Sequence, residues 1–280
     1  MNCYIDAGNS RIKGRLQRRS RAPDAPFAVE WPSPADGEAA IDDLAERLDP
    51  YLTDDKGRRP AQVAVASVAD EARRERLEAA LTRLCPDARL RWLGVPRRCC
   101  HVRVGYRDHE QLGIDRFCAM IEARDRAAGG PMAVINAGTA ITLDLLEAGG
   151  RHLGGLILPG LSAQAEGLRR SAPGLGAALD DLSPAEAAPD SDVDEATRRF
   201  GVGVDTSGAL SIGRDWMLAA ALDRMLAVWS ARLQADGRLE VFLCGGDADH
   251  LAALVDPGYA PRVEPDLVLA GVARLARARR

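Results

Sequence analysis

Asp6-Ala7-Gly8-Asn9-Ser10, with Lys13 just beyond, is a set of residue types suited to holding a phosphorylated ligand. The run NCYIDAG places an aspartate at the end of a buried strand, where a carboxylate is costly unless it has a partner. At a tight turn that partner is a metal ion or its water shell. Gly8 lets the backbone fold tightly and lets a ligand approach the main chain. The N–H groups of Gly8, Asn9 and Ser10 can form a small anion-binding nest. Lys13 would add a point positive charge for a phosphate. A plain hairpin turn is the alternative, because Asn and Gly favour such turns in any case.

The turn recurs. Asn136-Ala137-Gly138-Thr139-Ala140 aligns with it at a spacing of 130 residues, with an amide where the first copy has an acid. Thr139 and Thr142 offer hydroxyls beside it. Two such turns on two similar domains can face each other across a cleft that holds a nucleotide. Other phosphate signatures are missing from the sequence. There is no GxxxxGK[ST], and Gly201-Val202-Gly203 lacks the third glycine of a dinucleotide fingerprint. GxSxG and HExxH are also missing. The four histidines, His101, His109, His152 and His250, are scattered and are expected at the surface. None of the six cysteines forms a CxxC. They read as small buried hydrophobes of a reducing compartment.

The elements that must position these turns follow a repeated order. NCYIDAG, SRIKGRLQ and FAVEW are short and bounded by turn residues, which predicts three strands. A helix over EAAIDDLAERLDPYL would put Ile41, Leu44, Leu48 and Leu52 on one face. AQVAVASV predicts a buried strand, and Asp70 a helix cap before Leu77, Leu81 and Leu84. RLRWLGV is another strand, and LGIDRFCAMIEARDRA a helix. After RAAGGP the pattern restarts. PMAVINAG, TAITLDLLEAG and RHLGGLILPG predict three strands, then a helix over 160–170. Residues 171–200 read mostly as loop, 207–233 as a long helix, RLEVFLCGG as a strand, and DADHLAALV and PDLVLAGVARLARARR as helices. The expected division is 1–128 and 129–280.

The chain's 280 residues suit two domains, and 46% hydrophobic with 28% charged residues is ordinary for a globular protein. A net charge of −4 argues against partners such as nucleic acid or an anionic membrane surface. Only two of the 37 basic residues are lysines, Lys13 and Lys56, which draws attention to Lys13. The start MNCYIDAG has neither a basic leader nor a long apolar run, so no signal peptide or membrane span is expected, and a cytoplasmic location is.

Several segments together resemble one family. Asp6-Ala7-Gly8-Asn9-Ser10 with Lys13 is similar to the opening DxGN(T/S)xxK of the type III pantothenate kinases. Tyr106 with Leu112-Gly113-Ile114-Asp115-Arg116 resembles their Y…LGxDR. Asn136 through Asp144 resembles DxGTAxTxD, and Gly154-Gly155 through Pro159-Gly160 resembles GGxIxPG. Asp205-Thr206, Cys244-Gly245-Gly246 and Asp266 through Gly271 follow in the family's order. The resemblance implies an α/β fold of the actin and sugar kinase type, made of two duplicated ribonuclease-H-like domains with mixed sheets. It implies ATP-dependent phosphorylation of pantothenate, the first step of coenzyme A synthesis, by a homodimer. The cofactors implied are Mg2+ and a monovalent cation, K+ or NH4+.

Residue by residue, the resemblance makes Asp6, Ala7, Gly8, Asn9, Ser10, Arg11, Ile12 and Lys13 the ATP phosphate loop. Asp6 would stand near the divalent ion, through water. Thr139 would bind ATP. Tyr106, Gly113, Ile114, Asp115 and Arg116 would bind pantothenate, with Asp115 as general base and Arg116 on the substrate carboxylate. Thr206 would reach pantothenate across the dimer interface. On residue type alone, Asp115 could instead cap a helix starting at Arg116, and Arg116 could be a solvated surface residue. Asn136 departs from the family, whose aspartate there is the monovalent-cation ligand, so weakened or absent potassium activation is expected. The alternative function is a non-catalytic or altered-cation relative that binds nucleotide or pantothenate and acts in regulation.

Overall fold

The computed structural model describes residues 1–18, 24–32, 37–180, 201–234 and 237–278. Contacts divide the chain into two compact units. One comprises Met1–Arg126, Gly150–His152 and the C-terminal stretch from Asp266; the other comprises Ala127–Gly149 and Leu153–Pro265. The sequence reading places 266 onward in the second domain, whereas in the structure this stretch packs with the first unit.

The first unit is built on β1 (Asn2–Ala7), β2 (Arg11–Gln17), β3 (Phe27–Glu30), β4 (Gln62–Ser67) and β5 (Arg89–Trp92). Their order across the sheet is β3-β2-β1-β4-β5. β1 pairs antiparallel with β2 and parallel with β4, so the sheet is mixed. Side chains alternate along a strand. Cys3, Ile5 and Ala7 therefore enter a core with Val63 and Val65, which α1 (Glu38–Leu48) and α2 (Glu71–Leu84) close with Leu44, Leu48, Leu77 and Leu81. Asp70 caps α2 as expected, its carboxylate accepting from the Arg73 N–H at 2.9 Å. Leu52 lies beyond the end of α1, after a short 3-10 turn, yet is fully buried.

Asn2, Tyr4 and Asp6 point to the other face, where α3 (Ile114–Arg126) and α8 (Leu267–Arg277) pack. Ion pairs fix both helices. Asp266, just before α8, takes Arg15 at 3.0 Å and Arg126 at 3.3 Å; Glu122 takes Arg126 at 2.9 Å and Arg274 at 2.8 Å. Burial works to raise the Asp266 pKa, but Arg15 and Arg126 outweigh it and hold the carboxyl below its ordinary value. Gly271 is required here, because a Cβ would lie 2.0 Å from the Cys118 carbonyl oxygen.

The second unit repeats the pattern with β8 (Met132–Ala137), β9 (Ala140–Leu146), β10 (His152–Pro159), β11 (Glu240–Gly245) and β12 (Arg262–Val263). Their order is β10-β9-β8-β11-β12, the same walk through the sheet as in the first unit. Again the first strand pairs antiparallel with the second and parallel with the fourth. Ala133, Ile135, Ala137, Ile141 and Leu143 form a core with Leu218, Leu222 and Leu226 of α6 (Thr206–Arg232) and Leu251 of α7 (Ala248–Leu254). α4 (Leu161–Ser171) and the single turn α5 (Gly176–Asp180) follow β10. The rest of the expected loop, 181–200, lies outside the described residues. Both sheets have the ribonuclease-H-like order. Among the described residues no helix is long and apolar enough to cross a membrane.

Candidate active site

In the first unit, β1 delivers Asp6 opposite Lys13 on β2 and beside Ala66 on β4. The turn between β1 and β2 is closed by the Gly8 N–H, which donates to the Arg11 carbonyl at 3.1 Å. Trp31 Nε1 donates to the Gly8 carbonyl at 2.8 Å and buttresses the turn from behind. Asn9, Ser10 and Arg11 are exposed at its tip. Ala7 and Ile12 belong to the buried core, so of the expected phosphate-loop residues these two can offer a ligand only main-chain atoms.

The Asp6 carboxyl is pushed up to about 7, first by burial, then by the negative charge of Asp115, with Lys13 pulling it down. Asp6 and Asp115 are therefore close enough for their negative charges to oppose one another. Asp115 is the second residue of α3 rather than a cap ahead of it. Its Oδ1 accepts from the Arg116 N–H at 2.8 Å, and the start of a helix favours its negative charge. Gly113 makes room for it, because a Cβ there would meet Asp115 Oδ1 at 2.5 Å.

Arg116 is only 5% exposed, which overturns the solvated reading. Its Nη1 donates to Tyr106 Oη at 3.1 Å, and its guanidinium lies 5.7 Å from the Tyr106 ring centroid. Tyr106 stacks on His152, centroids 5.6 Å apart, and the Gly105 N–H donates to His152 Nδ1 at 3.4 Å. His152 is 1% exposed, so the expectation that the histidines lie at the surface fails for it. Arg97 fixes the other side of this loop, donating to the Tyr106 carbonyl at 2.7 Å and the Arg107 carbonyl at 3.1 Å. Ile114 is buried, so it can line a substrate site mainly through its backbone.

In the second unit, Asn136 takes the ladder position that Asp6 holds in the first. It pairs with Thr142 on β9 and Cys244 on β11. The Gly138 N–H donates to Ala140 O at 3.2 Å, so this turn is one residue shorter than the first, and Thr142 rather than the aligned residue is the counterpart of Lys13. Two glycine motifs close around it. A Cβ on Gly160 would fall 2.0 Å from Gly138 O, and one on Gly245 2.1 Å from Ala137 O. The Gly160 N–H also donates to Thr139 O at 3.0 Å. Thr206 is exposed at the first turn of α6, capped by Asp205, whose Oδ1 accepts from the Gly208 N–H at 2.7 Å.

The family model of the type III pantothenate kinases matches residues 3–228. A type III pantothenate kinase of Alkalilimnicola ehrlichii is 36% identical over 98% of this chain and 96% of its own. One from Halorhodospira halophila is 33% identical over 99% and 98%. The chain belongs to the type III pantothenate kinase family. Solved structures agree on the fold. A candidate 2-dehydro-3-deoxygalactonokinase from Sinorhizobium meliloti superposes with a TM-score of 0.54 at 15% identity, covering 99% of this chain and 96% of that one. A candidate Baf family transcriptional activator from Campylobacter jejuni gives 0.52 at 20% identity, covering 98% and 97%. The architecture is that of the actin and sugar kinases.

Within this type III pantothenate kinase chain, sequence reasoning missed Trp31, Arg97 and His152. Trp31 closes the predicted strand FAVEW, and an indole N–H needs a partner when partly buried. His152 stands two residues before the Gly154-Gly155 pair, a place that would have linked it to the expected motif. Arg97 carried no signal.

Proposed function

We propose that this chain transfers the γ-phosphoryl group of ATP to pantothenate, giving 4'-phosphopantothenate. The observation that carries this reading is the meeting of Asp6, Lys13 and Asp115 at one end of the first sheet, with Arg116 oriented by Tyr106 on the same helix as Asp115. Phosphoryl transfer asks mainly for alignment and charge neutralisation. Lys13 and the N–H groups of Gly8, Asn9 and Ser10 hold the ATP phosphates, and Thr139 contributes to nucleotide binding. Asp115 accepts a hydrogen bond from the primary hydroxyl of pantothenate and takes its proton as the bond to phosphorus forms. Arg116 pairs with the pantothenate carboxylate, to which its planar fork is matched, and Thr206 also contacts that substrate.

A divalent ion fits the site, because a carboxyl whose pKa burial and a second carboxylate have raised gains most from a cation; Asp6 would hold Mg2+ through water and so neutralise phosphate charge. For a monovalent cation the residues fit only loosely. Thr142 Oγ1 is buried with no hydrogen-bond partner, directly across the ladder from Asn136, so oxygen ligands are to hand. Both are neutral, and we infer weak or absent activation by K+ or NH4+. The homodimer reading draws support from large apolar side chains exposed on the second unit, among them Ile157 at 65% and Trp216 at 63%. A cytoplasmic location follows from the substrate and cofactor.

The test is ATP consumption by purified protein with pantothenate. Asp115→Asn is expected to lower kcat by about a hundredfold or more, while ATP binding by calorimetry is unchanged. Full activity in that variant would refute the base. ATP binding without turnover in the unaltered chain would favour the regulatory reading.

A further inference from the structure

Cys99 and Cys100 are the two thiols that the core does not absorb. Cys3, Cys85, Cys118 and Cys244 are buried, as expected, but these two are partly exposed, and all six are free. Their sulfurs touch at 3.3 Å. They sit in a small hairpin, β6 (Arg98–Cys99) and β7 (Val102–Arg103), in which Cys99 pairs with Val102. The two turn residues, Cys100 and His101, have φ of 49° and 64°. A two-residue hairpin turn needs left-handed residues, but Asn and Gly are the usual occupants. Two side chains with Cβ substituents at that turn carry a conformational cost of the kind found at functional sites.

The hairpin is wired to the substrate loop. The Val104 N–H donates to Arg97 O at 3.0 Å, and the Arg103 N–H to Gly150 O at 3.0 Å. The Arg97 guanidinium then holds the carbonyls of Tyr106 and Arg107. Tyr106 in turn meets Arg116. A change at Cys99-Cys100 is therefore passed along three residues of chain and one guanidinium to Tyr106.

We propose that Cys99-Cys100 is a dithiol modification site, oxidised by a small-molecule disulfide, through which thiol redox state sets the geometry of the Tyr106 loop. The Cys99 thiolate attacks one sulfur of the oxidant; a mixed disulfide forms and one small thiol leaves. Cys100 then loses its proton to solvent and attacks the Cys99 sulfur. The intraprotein S–S bond forms and the second small thiol leaves with a proton. Two protein thiols have given up two electrons, and the oxidant has become two thiols. Burial, and then hydrogen bonding to Cys99, push Cys100 up to about 12, which suits it to the second, resolving step rather than the first.

Adjacent Cα atoms are about 3.8 Å apart across a trans peptide, below the roughly 4.4–6.8 Å that disulfides prefer. The bond therefore forms only if the turn shifts, and it is readily reduced again. The loop consequence rests on the proposed role of Tyr106 in binding pantothenate; the thiol chemistry does not.

The experiment treats the full chain with oxidised glutathione, alkylates free thiols and weighs the tryptic peptide 99–103, which holds only this pair. The expected peptide has lost two hydrogens and carries neither alkyl group nor glutathione. Amide hydrogen exchange over 104–107 should quicken, KM for pantothenate should rise severalfold with kcat less affected, and dithiothreitol should reverse all three. Cys99→Ser should prevent the exchange and KM changes, and Cys100→Ser should stop at a peptide that keeps one glutathione on Cys99 and has no internal disulfide. A peptide that is alkylated twice, or that keeps glutathione on both sulfurs, overturns the proposal. So does an internal disulfide that leaves exchange over 104–107 unaltered. Absence of pantothenate turnover in the reduced chain would instead sink the kinase reading, and the peptide mass with the exchange data would still decide this one.

Discussion

Replacing Asp6 by asparagine should stabilise the ligand-free protein while abolishing its activity. The Asp6 carboxyl stands at about 7 instead of 3.8, because burial and the charge of Asp115 oppose ionisation more than Lys13 favours it. Between those values the folded state binds a proton that the unfolded state has released. Stability from this group is therefore present at low pH and is lost as pH rises toward 7. The full displacement corresponds to about 4 kcal/mol at about 1.4 kcal/mol per pH unit. Asp6 is half-buried, so solvent screening reduces that, and about 2 kcal/mol is the expected gain of Asp6→Asn at pH 8. The amide is the neutral isostere of the protonated acid, so below about pH 4, where neither the folded nor the unfolded state ionises the acid, the variant and the unaltered protein should be close to equal. The assay is native-state hydrogen exchange of the β1 and β4 amides in the presence of a chelator, with the two proteins compared at the same pH. Adding Mg2+ and ATP should then protect the unaltered protein and not the variant. Equal stability of the two proteins at pH 8, or a gap below pH 4 as large as that at pH 8, would refute the reasoning that burial and Asp115 oppose ionisation of this carboxyl.

Potassium titration of the kinase rate should show shallow or no activation, and Asn136→Asp should steepen it; a steep response at low potassium in the unaltered protein would sink the assignment. Gly160→Ala should destabilise the second unit by about 1–3 kcal/mol, since the new methyl would meet backbone oxygens at 2.0 and 2.7 Å; urea denaturation reads this, and an unshifted midpoint contradicts it. His152→Ala should raise KM for pantothenate severalfold while sparing kcat, and His152→Phe should restore most of it by keeping the stack on Tyr106; equal KM values in all three proteins would show that the stack has no part in binding.

How far the sequence carries depends on the length scale of each interaction. Strands such as NCYIDAG and PMAVINAG were legible because each is a short apolar run ended by a glycine turn. The acid, glycine and lysine of the first turn were legible for the same reason: all lie within eight residues. The shorter second turn was not, because an alignment at a spacing of 130 places Ala140 against Ser10, whereas the ladder sets Asn136 against Thr142. The attachment of α8 to the first unit was also hidden. It depends on Arg15 meeting Asp266 across 251 residues and on a glycine that lets α8 touch the Cys118 carbonyl. Arg116 looks like a surface residue by type. The Tyr106 hydroxyl and ring beside it help to make its burial intelligible.

The comparison of the two turns says where the chemistry is concentrated. In both units the first strand ends in a polar side chain, a small residue and a glycine, and a second-strand side chain faces the polar one across the ladder. In the first unit that pair is Asp6 and Lys13; in the second it is Asn136 and Thr142. The duplicated scaffold thus carries a charged pair once and a neutral pair once. An aspartate in the second pair would face a neutral hydroxyl where Asp6 faces a lysine, so it would need a cation to be tolerated in partly buried surroundings. With an amide there, no such cation is required for folding. On the proposed reading, Asn136 lessens any dependence on a monovalent ion while Asp6 and Lys13 keep their charged pair in the first unit, which is compatible with an active kinase.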